Sequence, residues 1–357
     1  MSGVQAAIDG RVRMARRGTV GLLTLNRPEV INAFDLGMVR ALRAAIEGWL
    51  TEDEMSAVVL NGTGDRGFCA GGDIRAVRDG AVNHPESVRT LWREEYELDA
   101  LLGDLPIPAV ALADGITMGG GMGLACHAAI RVVTERSRLA MPEVAIGLAP
   151  DAGGLHLLGT APGELGTHLA LTAGSAGPGD AIALGLADVA VHSDDLPGLV
   201  ERAEHEDVHA LLDELGLDRL PTPLVEGRDW VDECYTGDDV VSIRDRLAAH
   251  GSPDARAAAS RLGAMAPTAL AVTLDGLRRA RRNDSLTDCL IDDLRRSSRF
   301  LEHPDLVEGI RAKIVDKDGA PQWQPASLEE VRDLDLSAFH APLPDDLDLT
   351  GVPTAHC

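Results

Sequence analysis

Residues 116–154 read ITMGGGMGLACHAAIRVVTERSRLAMPEVAIGLAPDAGG, and this stretch is the most informative part of the chain. Its triple glycine, 119–121, follows an apolar run typical of a strand and precedes a run typical of a helix. Backbone N–H groups at such a turn, with the positive end of a helix behind them, can hold a negatively charged oxygen. Glu143 and Asp151 follow in otherwise apolar surroundings. An anion-stabilising turn beside acid groups indicates an enzyme that acts on a carbonyl.

A second glycine-rich turn supports this interpretation. The run FCAGGD, residues 68–73, follows a short apolar strand predicted at 57–60 and a loop. Gly71 and Gly72 allow the backbone to approach a ligand closely, because no Cβ intervenes. Either turn alone would more often simply reverse the chain. Two strand-to-helix turns are what a two-donor oxyanion hole requires, although their spacing does not show that they converge.

Several motifs taken together resemble one enzyme family. FCAGGDIR (68–75), GITMGGGMGL (115–124) and MPEVAIGLAPDAGG (141–154) are similar to the crotonase (enoyl-CoA hydratase/isomerase) superfamily, and more closely to its 3-hydroxyisobutyryl-CoA hydrolase branch. The likeness extends to LNRPEVINAF (25–34), REEYELD (93–99) and EGIRAKIVDKDGAPQWQPASLEEV (308–331). It covers almost the whole chain except an acidic stretch at 201–261.

Strands that alternate with helices indicate an α/β fold. Strands are predicted at 19–25, 57–60, 109–113, 130–134 and 188–191, and helices at 35–50 and 86–102. Beyond residue 200 the pattern becomes helical and acidic, with helical spacing at 201–217, 240–250, 267–282 and 286–300. The resemblance implies a crotonase-like spiral of ββα units over 12–200, followed by a mainly helical C-terminal region over 201–357.

Composition and charge exclude several kinds of partner. A net charge of −24 over 357 residues argues against nucleic acid or an anionic membrane. The most apolar window, 107–130, is interrupted by Asp114 and five glycines, so it is a poor membrane span. Five cysteines form neither a close pair nor a metal-like spacing, and the start of the chain lacks the apolar core of a secretory signal. We therefore expect a reduced, cytoplasmic setting and no metal.

The resemblance assigns roles to four residues of the glycine and acid motifs. Gly72 and Gly120 would supply the two oxyanion N–H donors, pointing at a thioester oxygen. Glu143 matches the catalytic glutamate of the family; without the resemblance, a first-turn helix acid is as good an interpretation as a catalytic base. Asp151 matches an active-site aspartate of the hydrolase branch. Its local sequence alone fits the N-cap of a helix that begins near Ala152 equally well.

Glu95 and Gly123 refine the expected chemistry. Glu95 lies in the middle of an apolar stripe on the helix predicted at 86–102, where a carboxylate is costly without a partner or a task. A buried salt bridge is one interpretation; the resemblance implies a glutamate that binds the substrate hydroxyl. Gly123 stands where enoyl-CoA hydratases, which this chain resembles, carry a second catalytic glutamate. Glycine cannot transfer protons, so hydratase activity is disfavoured.

Lys313 and Lys317 are the two lysines among 33 basic residues. Together with Arg311 they could bind the phosphates of coenzyme A. A solvated basic face, balanced by Asp316 and Asp318, is an equally good interpretation.

The sequence therefore predicts hydrolysis of 3-hydroxyisobutyryl-CoA, as in valine breakdown, with no cofactor beyond the coenzyme A of the acyl-CoA substrate. Glu143 would either activate a water or attack the carbonyl to form an anhydride, and the sequence leaves both open. Two alternatives are a hydratase or isomerase acting on another acyl-CoA, and a non-catalytic crotonase-like binding protein. The resemblance also raises the expectation of a homo-oligomer, either a trimer or a hexamer.

Overall fold

The computed structural model describes residues 10–52, 54–283 and 285–352. Its strands are β1 (Val12–Arg17), β2 (Val20–Leu25), β3 (Ala57–Gly62), β4 (Ala109–Ala113), β5 (Ile116–Met118), β6 (Ile130–Thr134), β7 (Arg138–Ala140), β8 (Ser175–Ala176) and β9 (Val189–Val191). Its α-helices are α1 (Leu36–Leu50), α2 (Ile74–Asn83), α3 (Pro85–Gly103), α4 (Gly120–Cys126), α5 (Gly154–Gly159), α6 (Leu165–Thr172), α7 (Pro178–Ala183), α8 (Leu196–Arg202), α9 (Val208–Leu215), α10 (Pro223–Glu226), α11 (Arg228–Cys234), α12 (Val240–Ala249), α13 (Pro253–Leu262), α14 (Pro267–Arg282), α15 (Leu286–Leu301) and α16 (Pro304–Ile310). Short 3₁₀ helices lie at Pro28–Val30, Glu143–Ile146, Ser193–Asp195, Glu329–Val331 and Leu336–His340. Arg311–Val315 is a short π-helix.

Two sheets organise the α/β part. The main sheet has the order β1-β2-β3-β4-β6-β9, in which β1 and β2 are antiparallel and the other neighbours are parallel. All five residues of β4 are buried, as expected of a parallel strand covered on both faces. The second sheet has the order β5-β7-β8 and leads directly into α4 through the triple glycine.

Most of the predicted helices form where the sequence pattern placed them. Helix α14 has the predicted bounds 267–282, and α1 follows Asp35, whose side chain accepts a hydrogen bond from the N–H of Met38. The segment 201–217 is an exception, because α8 ends within it and α9 begins later. Asp207 accepts a hydrogen bond from the N–H of Ala210 and so caps a new helix.

The helices after residue 200 share a core with the α/β part. Helix α14 packs on α5, and α15 packs on α3. One cluster of buried apolar side chains extends from Val12 to Val352. The boundary near residue 200 is thus a change in composition, not a gap in packing. Helix α15 packs on both α3 and α5, and these two helices in turn both pack on α4. Within the ranges described above, no helix is both long and apolar enough to cross a membrane.

Candidate active site

The two glycine-rich turns lie side by side. Cys69 and Thr117 form a parallel bridge, and the N–H of Met118 donates to the carbonyl of Cys69 at 2.9 Å. A Cβ on Gly71 would lie 2.9 Å from the Met118 oxygen and 3.1 Å from the Gly120 nitrogen. The φ angle of Gly71 is +89°, which glycine adopts readily. The convergence that the sequence left open is therefore present.

Gly72 and Gly120 offer main-chain N–H groups at the wall of one cavity. In the described part of the chain, neither N–H has an acceptor within the protein. Gly120 is the first residue of α4, so its N–H has no intrahelical partner. Two free donors at one cavity can stabilise an oxyanion.

The cavity measures about 320 Å³ and is mainly apolar. It opens between the glycine turns, α2, α3, the 3₁₀ helix Glu143–Ile146 and α16 with its π-helical continuation. Its polar side chains are Glu95, Glu143, Asp151 and Lys313. A concave apolar pocket with a few convergent polar groups is typical of a small-molecule site. Five of the predicted site residues and one of the two lysines therefore surround a single space.

Glu143 is the first residue of its 3₁₀ helix and is 6 % exposed. A Cβ on Gly119 would lie 2.9 Å from Glu143 Oε1, so the carboxyl group lies beside the triple glycine. The other oxygen, Oε2, is buried and has no hydrogen-bond partner among the described residues. Burial, and then the charge of Asp151, raise the pKa of Glu143. A buried carboxyl with a free oxygen and a raised pKa suits a general base.

Asp151 does not cap a helix, so the N-cap alternative considered from the sequence is not observed. Helix α5 begins at Gly154, and no side chain caps it. Ala152 and Gly153 have φ angles of +49° and +72°, and this left-handed bend separates Asp151 from the helix. Asp151 Oδ2 instead accepts a hydrogen bond from the Tyr96 hydroxyl at 2.7 Å. Burial raises the pKa of Asp151 to about 7.

Glu95 is 3 % exposed and lies over the triple-glycine turn. A Cβ on Gly120 would overlap Glu95 Oε1. Burial, followed by the charges of neighbouring acids, raises the pKa of Glu95. Across the described ranges no basic side chain pairs with Glu95, so the buried salt bridge considered from the sequence is not observed. Adjacent Glu94, by contrast, pairs with Arg40 at 2.6 Å near the surface.

Two further buried acids behind the cavity were missed. Asp99 is fully buried, and in the described structure neither of its oxygens has a hydrogen-bond partner. A Cβ on Gly123 would lie 2.8 and 2.9 Å from these oxygens. Asp293 accepts a hydrogen bond from the N–H of Gly153 at 2.8 Å and pairs with Arg296. Asp99 follows Glu95 by four residues on the same helix face, and this spacing was the available signal.

The two lysines differ in position. Lys313 lies in the π-helical segment Arg311–Val315 and lines the cavity, whereas Lys317 does not. Arg311 pairs with Glu308, Asp316 and Asp318, so its charge is already balanced. Lys313 is therefore the better placed of the two lysines for contact with an anionic ligand.

A metal site is not evident in the described ranges, where no group of three or more His, Cys, Asp or Glu residues could hold an ion. Cys69, Cys126, Cys234 and Cys289 are free and buried. Cys357 lies outside the described residues.

Comparisons with known proteins extend these findings. The family model "Enoyl-CoA hydratase/isomerase" matches residues 20–340. The mitochondrial 3-hydroxyisobutyryl-CoA hydrolase of Gallus gallus is 37% identical over 333 residues, which cover 90% of this chain and 86% of the relative. The Homo sapiens protein of the same name is 35% identical over 337 residues, covering 91% and 87%.

Two solved structures are similar over nearly their whole length. A carnitinyl-CoA dehydratase from Mycobacterium thermoresistibile has a TM-score of 0.92 at 43% identity, covering 96% of this chain and 99% of that one. An enoyl-CoA hydratase from Rhodobacter sphaeroides has a TM-score of 0.88 at 38% identity, covering 95% and 99%. These similarities confirm the predicted fold class, an α/β spiral with a helical C-terminal region.

Proposed function

This chain belongs to the enoyl-CoA hydratase/isomerase (crotonase) family, and from that premise we propose that it hydrolyses the thioester of 3-hydroxyisobutyryl-CoA. The products would be 3-hydroxyisobutyrate and coenzyme A, a step of valine degradation. The names of the similar proteins divide between hydrolases and hydratases or dehydratases. The observation that carries our choice is Gly123, against which the carboxyl of Asp99 packs. Because residue 123 is glycine, it provides no second carboxylate that could hold a water together with Glu143.

The converging turns supply the electrostatic part of the proposed reaction. The thioester oxygen would accept hydrogen bonds from the N–H groups of Gly72 and Gly120 as negative charge develops on it. Each such donor typically contributes about 2.7–4 kcal/mol to the transition state. A neutral carbonyl gains less than the oxyanion, so these donors favour the tetrahedral intermediate over bound substrate.

Glu143 would handle the proton of the attacking water. In one route Glu143 accepts this proton while the water oxygen bonds to the carbonyl carbon. The C–S bond then breaks, and the proton passes to the thiolate of coenzyme A. In the other route a Glu143 oxygen attacks the carbonyl carbon, and the C–S bond breaks to release the thiolate of coenzyme A. Water then hydrolyses the resulting anhydride, which frees the acid, regenerates the Glu143 carboxylate and supplies the proton that the thiolate takes up. Both routes use the Glu143 carboxyl group, which lines the cavity beside the triple glycine. Asp151 would assist by positioning water or substrate.

The acyl preference follows from Glu95 and the small apolar cavity. Glu95 lies beside Gly120, close to the proposed position of the thioester oxygen. A hydroxyl on the third carbon of the acyl chain could donate to its unpaired carboxyl. A pocket that hydrogen-bonds a substrate hydroxyl discriminates strongly against the analogue that lacks it.

A thiol-release assay across short acyl-CoAs tests the proposal. We expect the highest kcat/KM with 3-hydroxyisobutyryl-CoA, a lower value with 3-hydroxypropionyl-CoA, and a much lower value with isobutyryl-CoA. Hydration of crotonyl-CoA, followed in parallel, should be negligible. Fast hydration without thiol release would support the hydratase alternative. The absence of both reactions would support a non-catalytic binding protein.

The Glu95→Gln variant tests the role of the hydroxyl contact. Glutamine keeps the size of the side chain but replaces one acceptor oxygen with an NH2 donor, so kcat/KM for 3-hydroxyisobutyryl-CoA should fall by roughly tenfold, the size expected for one weakened hydrogen bond. Its kcat/KM for isobutyryl-CoA should change little. Glu94→Gln is the matched control, because Glu94 is adjacent but pairs with Arg40 away from the cavity. Equal losses on both substrates would remove Glu95 from hydroxyl recognition.

On the basis of the sequence and the resemblance, we also predict a homo-oligomer, a cytoplasmic location and no cofactor. The hydrolases of Gallus gallus and Homo sapiens are named as mitochondrial proteins.

A further inference from the structure

Tyr96 lies behind the cavity and touches one of its acids. Its side chain is fully buried, and its hydroxyl donates to Asp151 Oδ2 at 2.7 Å. The same phenol oxygen lies 3.2 Å from Ser297 Oγ, which can donate a hydrogen bond to it. Asp151 lines the cavity, whereas Tyr96 does not. The phenol therefore does not contact a ligand in the cavity itself, but it contacts a side chain that can.

The bend that carries Asp151 is held at a second point. The N–H of Gly153 donates to Asp293 Oδ2 at 2.8 Å, and Asp293 pairs with the buried guanidinium of Arg296. Asp293 and Arg296 belong to α15, as does Ser297. The side chain of Asp151 and the main chain two residues later are thus both fixed by groups behind the cavity. Such fixed surroundings can hold a carboxyl in one orientation.

We propose that Tyr96 is a positioning residue for Asp151 and determines which carboxyl oxygen can carry a proton. An oxygen that accepts the phenol hydrogen is a poor site for a second hydrogen. A proton on the Asp151 carboxyl therefore resides on Oδ1. Any proton exchange between Asp151 and a water or substrate then involves Oδ1. The kinetic consequences rest on the proposed hydrolase function, whereas the hydrogen bond and its effect on titration do not.

The charges around Asp151 determine the direction in which loss of this contact would shift its pKa. Asp151 shares its surroundings with the following groups: Glu95, Tyr96 and Asp99 of α3; Glu143; His127 and His156; and Asp293 and Arg296 of α15. Burial raises the pKa of Asp151, and the Tyr96 hydrogen bond opposes that rise. A variant without the phenol hydroxyl should therefore have a still higher pKa at Asp151.

The kinetic test compares the two tyrosines of the chain. Tyr96→Phe should lower kcat by roughly tenfold or more, the size expected for a lost hydrogen bond to a charged group, with KM little changed. The limb of its pH profile that depends on Asp151 should move to higher pH, whichever form of Asp151 is active. Tyr235→Phe is the matched control, because Tyr235 is equally buried and its hydroxyl lies 2.8 Å from His168 Nδ1, away from the cavity. An unshifted profile in Tyr96→Phe would overturn the proposal.

A second test needs no substrate. Tyr235→Phe retains Tyr96 as the single tyrosine, so its Cζ resonance can be followed by ¹³C NMR without ambiguity. This resonance should titrate with a midpoint near the Asp151 pKa of about 7. The titration should disappear in Tyr235→Phe/Asp151→Asn. A titration that survives the Asp151 substitution would refute the coupling, even if the protein hydrolyses no thioester. A clear titration in a protein without hydrolase activity would retain the coupling and reject the proposed function.

Discussion

Gly72 and Gly120 are expected to share one role, but their surroundings differ. A Cβ on Gly120 would overlap Glu95 Oε1 and lie 2.7 Å from Phe34 Cζ. A Cβ on Gly72 would meet nothing closer than Phe34 Cε2 at 3.9 Å. Both alanine variants keep the N–H donor. The difference between them therefore isolates the steric requirement at each position.

We predict that Gly120→Ala lowers both kcat and the thermal midpoint, whereas Gly72→Ala changes neither strongly. The added methyl group at position 120 should cost about 1–3 kcal/mol, as overpacking usually does. Thiol release and thermal unfolding, measured on both variants, provide the comparison. Equal losses in the two variants would mean that the turns are not arranged as described.

Glu143 carries the proposed chemistry at the scale of one side chain. Glu143→Gln keeps the size of the side chain but removes its basicity, so kcat should fall by about 10²- to 10⁴-fold. The exposed Glu135, which accepts hydrogen bonds from Ser193, provides the control variant Glu135→Gln. Both rates are measured by thiol release at saturating substrate. A near-native rate in Glu143→Gln would contradict the assignment.

Helices and the long parallel strands could be predicted from the sequence, but the short strands could not. Helix α14 and strand β4 have their predicted bounds because their patterns span many residues or a continuous apolar run. Strands β7 and β8 have three and two residues, too few for a periodic signal. Strand β1 was also missed, because its alternation of polar and apolar residues is weak.

The C-terminal helical element contributes the cation of the cavity, and a truncated substrate can test its role. Lys313→Gln should raise KM for acyl-CoA substrates by roughly tenfold, as expected for a lost charge-assisted contact with phosphate. The KM for the N-acetylcysteamine thioester, which lacks phosphates, should be unchanged. Lys317→Gln is the control, because Lys317 does not line the cavity. Equal changes in KM for both substrates would exclude a phosphate contact.

The site is assembled at the scale of the whole molecule, and this limited what the sequence could show. Each local signal concerned one segment, such as the triple glycine or the acid of α3. Their convergence depends on the pairing of Cys69 with Thr117 and on packing of α15 behind Asp151. The two interpretations of Asp151 could not be separated for the same reason, because the local sequence fits both a helix N-cap and an active-site acid. Distant partners such as Tyr96 and Asp293 select the observed bend.

Stability should depend on pH through the C-terminal segment Leu336–His340. His340 Nε2 lies 2.7 Å from Asp275 Oδ2 of α14. Burial lowers the pKa of His340, but the adjacent carboxylates of Asp275 and Asp292 outweigh it, so the pKa is raised. A raised histidine pKa stabilises the fold at pH values below the unfolded pKa, and this contribution disappears as pH rises through the folded pKa.

We therefore predict that His340→Gln lowers the thermal midpoint more at about pH 6 than at about pH 9. His192→Gln is the control, because its partner Glu135 is solvent-exposed and such pairs contribute little. Differential scanning fluorimetry at both pH values measures the effect. A loss of equal size at both pH values would assign His340 a packing role only.

The crowding of acids around the cavity has a consequence for the end of the catalytic cycle. The wall presents Glu95, Glu143 and Asp151 but a single lysine. An uncharged thioester group fits such a wall, whereas the carboxylate left after cleavage meets like charge unless a neighbouring acid is protonated. Hydrolysis would thus convert a neutral acyl group that the cavity accepts into an anion that the cavity repels. The same acids that surround the substrate would then favour release of the acid product, and product inhibition should be weak.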